Sequence, residues 1–525
     1  MQILSVLEGV VMSRLLLDLL PELLEDIYSY CTITDLINVA TCNREHNNAT
    51  TPRIWNHVQL PFDVDIKSLS RPNLFRFVRK LAFCDKNDVI SHPISEERVV
   101  DNYSTVFAHC DANKITSLTF NNFCCDRILQ TAAETLNSLH ELTVRKCDVI
   151  TSQGWQAVTC FSRLNKLELF QCRISDAEIA NIVESLDLRK LILNQCRDLT
   201  SDSLSSICSR LTSLVNLTVS CWQFKDGSVA FDRLSQMKSL RNLSINGYYH
   251  ASNEDITLLR SLTFLRDLDL SCSSNFNDSG LSKLSDLEHL KNLNICDCNK
   301  VTDTGVSHIA SMSSLRVVNM SGCWKLSDFG LEQMKEMENL RELNIGGCRF
   351  ITDVGVSHLS NIQTLTKLNI SGCFYVTDIG LAELSSLIQL RELSMGACCV
   401  TDLGVCQLLL LSKLQSLSIS ECHRVTDYGL SEIAKLTSLQ KLNINGCINI
   451  TFIGLVQLME LRLCELNVKH CGLSDESVEQ FCQYSGMKEL FGVDGSTNSR
   501  ILTRNYRLWT KHYNRWVRNI AQEQS

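Results

Sequence analysis

From residue 118 onward the chain repeats one hydrophobic phrase: a leucine, one intervening residue and a second apolar residue. It recurs at Leu118, Leu142, Leu167, Leu191, Leu217, Leu243, Leu268 and Leu293, then at Val318, Leu343, Leu368, Leu393, Leu417, Leu442 and Leu466. Successive copies lie 24–26 residues apart, and a weaker start follows at Leu490. Fifteen copies in phase exceed what leucine content produces by chance, so the chain is first of all a repeat array. In the copy from Leu340 to Leu368, alternation at Leu343 and Ile345 predicts a short strand with one buried face. Cys348, Ile351 and Thr352-Asp353-x-Gly355-Val356 follow. Thr or Asp there caps a helix start by accepting free N–H groups. Val356, Leu359 and Ile362 then step by three, as on a short helix. Each copy thus predicts strand, turn, helix and return. One such coil cannot bury its own apolar face, so stability must come from stacked neighbours.

Composition divides the chain into two unlike pieces. All five prolines (Pro21, Pro52, Pro61, Pro72, Pro93) precede the array, whereas of 22 glycines only Gly9 lies before position 150. At 44% hydrophobic and 21% charged, the chain can bury a large core, which excludes wholesale disorder. A net charge of −8 gives no global basic field, so nucleic-acid binding is not expected. No uncharged run reaches the roughly 18–20 residues of a membrane span. The apolar stretch Ile3–Leu20 lacks a basic start and is broken by Glu8, Arg14 and Asp18, unlike a secretory leader. These features predict a protein of the cytoplasm, the nucleus or both, with reduced thiols.

There are 26 cysteines. Eleven sit five residues after an anchor: Cys147, Cys172, Cys196, Cys298, Cys323, Cys348, Cys373, Cys398, Cys422, Cys447 and Cys471. Cys221 and Cys272 stand one residue earlier. Zinc sites need clustered Cys or His pairs. Stacked copies instead predict a ladder of small buried thiols, with no metal and no cofactor. The pattern L-x-x-L-x-[IL]-x-x-C-x-x-[VIL]-[ST]-D-x-G-[LV] resembles the cysteine-containing subfamily of leucine-rich repeats over roughly residues 110–495. The resemblance implies an α/β solenoid, with a curved parallel sheet inside and short helices outside, that binds partners and is not an enzyme.

Residues 19–60 read differently. Pro21 and Glu22 suit a helix start, and Leu20, Leu23, Leu24, Ile27 and Tyr30 follow at helical spacing. Thr34-Asp35 is a second cap signal, before Leu36, Val39 and Ala40, and Ile54-Trp55 supplies a third apolar anchor. This predicted three-helix unit resembles an F-box: Leu-Pro, Glu, Ile-x-x-Tyr, Asp-Leu, Cys-Asn-Arg and a closing Trp. The resemblance implies docking onto the linker subunit (Skp family) of an SCF (Skp–cullin–F-box) ubiquitin ligase, and through it onto a cullin. By position, Leu20, Pro21, Glu22, Leu24, Ile27, Asp35 and Leu36 belong to the docking helix pair. The alternative is a helical cap that shields the first coil. The expected organisation is an extension (1–18), the F-box-like unit (19–60), an irregular joint with a first repeat at VRKLAF (61–117), the repeats (118–495) and a basic tail (496–525).

Strand residues between the two apolar anchors face the predicted concave surface: Asn294, Asn319, Asn344, Asn369, Ser394, Ser418, Asn443 and Asn467, with bulkier Thr143, Glu168, Ile192 and Thr218 earlier. No catalytic set recurs among them. The edge just after the cysteine is richer: Trp222, Tyr248, Tyr249, Trp324, Arg349, Phe350, Phe374, Tyr375, His423 and Arg424. These residue types dominate protein-binding hot spots, although half-buried loop aromatics also pack on the next coil. In the tail, Arg500, Arg504, Arg507, Lys511, Arg515 and Arg518 face one acid, Glu523, with Leu502, Tyr506, Trp509, Tyr513, Trp516 and Ile520 at helical spacing. The expected role of such a helix is to cap the end of the array, with a membrane, a nucleic acid or the acidic body of the chain itself as the alternative surfaces. The sequence therefore predicts a substrate-recognition adaptor of an SCF-type ubiquitin ligase, or a repeat scaffold that binds proteins without a ligase.

Overall fold

Leucine anchors 24–26 residues apart come to lie side by side because each coil turns the chain back by one strand width. A computed structural model describes residues 57–60, 78–83, 96–220, 228–247, 253–461, 463–474, 477–478, 480–481 and 489–491. The F-box-like helices with Leu20, Pro21, Glu22, Leu24, Ile27, Asp35 and Leu36 lie outside the described residues, as does the basic tail. The chain divides into two units, Met1–Asn242 and Leu243–Ser525.

In the first unit, parallel strands follow in chain order: His57–Leu60, Lys80–Phe83, Ser117–Asn121, Glu141–Arg145, Lys166–Phe170, Lys190–Asn194 and Asn216–Ser220. Their register sets Leu118, Leu142, Leu167, Leu191 and Leu217 beside one another in a buried column. The early strand expected at VRKLAF is Lys80–Phe83. Helix Glu96–His109 fills the long gap before Ser117. It carries Tyr103 and Phe107 against Phe83, with ring centroids 4.0 and 6.0 Å apart, while Phe120 stacks on Phe83 at 5.6 Å.

The second unit continues the scheme from Asp267–Asp269 to Glu489–Phe491, with Leu268, Leu293, Val318, Leu343, Leu368, Leu393, Leu417, Leu442, Leu466 and Leu490 in register. From Asp267 onward its strands have three residues, where those of the first unit mostly have five. The middle-position asparagines account for part of this. Asn319 Oδ1 accepts the N–H of Ser321 at 3.1 Å, and Asn344, Asn369 and Asn443 bind Gly346, Ser371 and Asn445 likewise. An N–H captured by a side chain is withdrawn from strand pairing. The chain then turns through a residue of positive φ, such as Gly347 at 76°, where a side chain is strained.

Two side-chain ladders lock coil to coil. In the first, Thr352 caps its helix by accepting from the N–H of Val354, while its own N–H and hydroxyl donate to Asp328 of the preceding coil at 2.8 and 2.6 Å. The same clamp joins Asp303 to Ser327, Asp353 to Thr377, Asp378 to Thr401, Asp402 to Thr426 and Asp427 to Thr451. It also explains the glycine two residues beyond the aspartate. A Cβ on Gly380 would lie 2.6 Å from Asp353 Oδ1, and one on Gly355 would fall on Asp328 Oδ1. In the second ladder, the buried Cys348 thiol donates to the Met320 carbonyl of the previous coil at 3.4 Å. Cys323, Cys373, Cys398, Cys422 and Cys447 repeat the contact at 3.1–3.4 Å.

Candidate functional site

Metal binding is the first chemistry to weigh for so many thiols. Burial pushes the Cys348 and Cys373 thiols up to about 12 and that of Cys422 up to about 11. A metal ligand must instead be a thiolate. Among the described residues no group of three His, Cys, Asp or Glu is placed to hold a metal ion. Cys272 departs from the ladder: it takes the positive-φ position at 59°, and the buried Ser273 occupies the thiol's usual place. Cys221 lies outside the described residues.

The edge after each ladder cysteine is different in kind. Cysteine and the next apolar residue are buried, and the one or two residues between them are pushed outward. Trp324 is 47% exposed, Phe350 58%, Phe374 46% and Tyr375 63%, far more than core aromatics retain. Lys325 Nζ lies 5.9 Å from the Trp324 ring centroid. Parallel bridges tie Phe350 to Ser327 and Tyr375 to Thr352, each a helix cap of the preceding coil. Exposed Arg349 stands beside Phe350, so Trp324, Arg349, Phe350, Phe374 and Tyr375 share one edge over three successive coils. His423 and Arg424 follow two coils later, beyond the exposed Cys399. His423 Nδ1 meets the Gly446 carbonyl at 2.9 Å, and Arg424 bridges to Thr401. Trp222, Tyr248 and Tyr249 lie outside the described residues.

A second row escaped the sequence reading. Phe329, Val354, Ile379, Leu403, Tyr428 and Ile453 are 57–69% exposed. Each follows the cap residue by two positions, so its backbone N–H is held by the cap hydroxyl and its side chain points away from the core. Single exposed apolar residues are ordinary, but here six recur at one position of successive coils. The signal was present in the residue just before the helix-start glycine, which in successive copies reads Phe, Val, Ile, Leu, Tyr and Ile.

The strand face is polar and largely satisfied by itself. In the first unit, buried Glu168 lies 2.9 Å from Lys190 Nζ and 3.3 Å from Lys166 Nζ, and accepts from Thr143. Burial opposes its charge, but the two lysines outweigh burial and hold the carboxyl below its ordinary range.

Geometry, spacing and composition are together consistent with a leucine-rich-repeat solenoid. The family model described as Leucine Rich repeat matches residues 261–285, 336–360 and 361–385. Such repeats are protein-binding repeats that present extended surfaces on stacked coils. Among solved structures, an internalin of Listeria monocytogenes is similar at 24% identity, over 63% of this chain and 87% of that one, with a TM-score of 0.43. A complex of Rad7 and Elc1 in yeast is similar at 16% identity, over 77% and 88%, with a TM-score of 0.44. A leucine-rich-repeat protein of Leptospira interrogans is similar at 17% identity, over 83% and 100%, with a TM-score of 0.36. No curated protein matches the chain in sequence.

Proposed function

We propose that the chain is a non-catalytic adaptor of an SCF-type ubiquitin ligase, in the cytosol or nucleus, whose repeats hold a protein substrate. The observation that carries the recognition half is the exposed row Trp324, Phe350, Phe374 and Tyr375, held in register by the aspartate and thiol ladders. Aromatic side chains with low conformational freedom on a rigid frame bind protein surfaces at small entropic cost. The ligase half is supported by the F-box-like residues Leu20 to Leu36. Purification of the full chain from cells tests both. The wild type is expected to retain a Skp-family linker subunit, and Leu20→Ala with Pro21→Ala to lose it. Trp324→Ala with Phe374→Ala is expected to keep the linker subunit and lose the substrate. If the wild type retains no linker subunit, the ligase reading fails and a protein-binding scaffold remains.

A further inference from the structure

We infer that Cys272 and Cys296 are a redox pair, two thiols of neighbouring coils that close into a disulfide by exchange with a small disulfide oxidant of the glutathione type. This chemistry is independent of partner recognition. It starts from a slip in the repeat. Counted from the coil anchor, the buried ladder thiol stands at the fifth position, which Cys298, Cys323 and Cys348 occupy. In the coil of Leu268 that place is held by buried Ser273, and the sulfur stands one residue earlier, on Cys272, at a φ of 59°. In the next coil a second sulfur, Cys296, stands at the third position, where later coils carry Ser321, Gly346, Ser371 and Gly396. Cys272 and Cys296 are both thiols and both partly exposed, unlike the ladder.

Backbone pairing brings the two together. The strands Asp267–Asp269 and Asn292–Asn294 run parallel and in register. Beyond them the N–H groups of Leu270 and Cys272 donate to the carbonyls of Asn294 and Cys296 at 2.9 and 2.7 Å, so the two cysteines are themselves hydrogen-bonded neighbours. Strands about 4.8 Å apart, offset by one residue of about 3.3 Å, place the two Cα atoms about 6 Å apart. A disulfide spans about 4.4–6.8 Å between Cα atoms. The sulfurs converge on one oxygen. Asp297 Oδ2 is 3.3 Å from Cys296 Sγ and 4.0 Å from Cys272 Sγ, so the sulfurs are separated by no more than the sum of those distances. Bond formation then asks for side-chain rotation on a fixed backbone. The ladder thiols have no such route, because Cys298 and Cys323 are buried and donate to the carbonyls of Leu270 and Ile295.

The exchange balances with no further reactant. Cys272 gives its proton to water and attacks one sulfur of glutathione disulfide. A mixed disulfide forms, and one glutathione leaves as a thiolate that takes up a proton. Cys296 then loses its proton, attacks Cys272 Sγ and expels the second glutathione. Two protein thiols are oxidised to one disulfide, and one glutathione disulfide is reduced to two thiols. Partial burial and the Asp297 carboxylate hold the Cys296 thiol above its ordinary range, which suits it to the second, resolving step. Tethered in one fold, that thiol acts at an effective concentration of about millimolar or more, so closure outruns a lasting mixed disulfide.

The test equilibrates the full chain in glutathione buffers of rising oxidised share, then quenches with acid, alkylates and digests with trypsin. Peptides 267–283 and 292–300 are expected to appear joined through Cys272 and Cys296, with the loss of two hydrogens and the linkage assigned by fragmentation. Half-closure should fall at an oxidised share at least about tenfold below the one that puts glutathione on half of the exposed Cys160 or Cys399. Cys296→Ser should instead retain glutathione on Cys272, and Cys272→Gly should give no bridge. Both variants copy residues that the coil of Val318 carries at these places, Ser321 and Gly322, and unchanged circular dichroism checks their folding. Unbridged glutathione on Cys272 of the wild type overturns the inference. So does an unreacted Cys272 where Cys160 and Cys399 have reacted, or a bridge to Cys298 or to a second chain.

Discussion

Replacing Asp353 by alanine is the most direct perturbation of what holds the binding edge in register. Its carboxylate accepts from the Thr377 N–H and hydroxyl at 2.7 Å each and from the Gly380 N–H at 2.9 Å. A hydrogen bond to a charged acceptor contributes about 1.5–3 kcal/mol, and a removed acceptor leaves donors unpaired. The site is half-buried, so water recovers part of this, and Asp353→Ala should cost about 3 kcal/mol. Gly380→Ala acts from the other side. The added methyl lies 2.6 Å from Asp353 Oδ1 and 3.2 Å from Val376 Cγ1. Overpacking costs about 1–3 kcal/mol, and the helix gains back about 1 kcal/mol on losing a glycine. In the double variant the methyl enters the space the carboxylate has left. The two changes should therefore fall short of additivity by about 1–2 kcal/mol. Urea unfolding of the four proteins measures the cycle, and native-state hydrogen exchange at residues 377 and 380 localises it. Additivity within about 0.5 kcal/mol, or a cost below about 1 kcal/mol for Asp353→Ala, would refute the clamp.

Further outcomes follow from the same geometry. Folding raises the ladder thiols from 9.0 to about 12 at Cys348 and Cys373, so their contribution is complete below about pH 9 and is lost as pH rises toward 12. Each such thiol should steepen the alkaline fall in stability by about 1.4 kcal/mol per pH unit, and Cys348→Ala with Cys373→Ala should flatten the curve; an unchanged slope contradicts this. Exposed Cys160 and Cys399 should alkylate in the native protein while the ladder thiols react only on unfolding, as mass spectrometry of labelled peptides would show. Glu168 has a lowered pKa, so its ion pairs act above the ordinary carboxylate range and vanish as pH falls through the lowered value. Glu168→Gln should accordingly lower the melting midpoint at neutral pH and not at strongly acid pH.

How much of this was legible in the sequence depends on whether a residue's role repeats. Leu343 and Cys348 recur in nearly every coil, so a period read along the chain places strand, turn and helix before any coordinate is known. Thr352 and Asp353 were legible as a cap, but not as a clamp between coils. Asp328 reaches Thr352 across 24 residues, and only stacking brings them together. The strand period places the middle asparagines on the concave surface, but not the bonds by which Asn319, Asn344 and Asn369 hold their own turns. The apolar row from Phe329 to Ile453 is not legible in the helical period, which marks core-facing residues such as Val356 and Leu359. An apolar residue beside a cap matches neither period, and its exposure depends on a backbone already pinned by the cap hydroxyl.

The central claim is that a protein is held along the second unit's edge. Hydrogen exchange of the full chain, alone and with its cross-linked and purified partner, tests this most directly. Slowed exchange is predicted in segments 324–329, 349–354, 374–379 and 424–428, with no change in the strand Glu141–Arg145. Protection confined to the strand face around Lys166, Glu168 and Lys190, or none in the second unit, would contradict it.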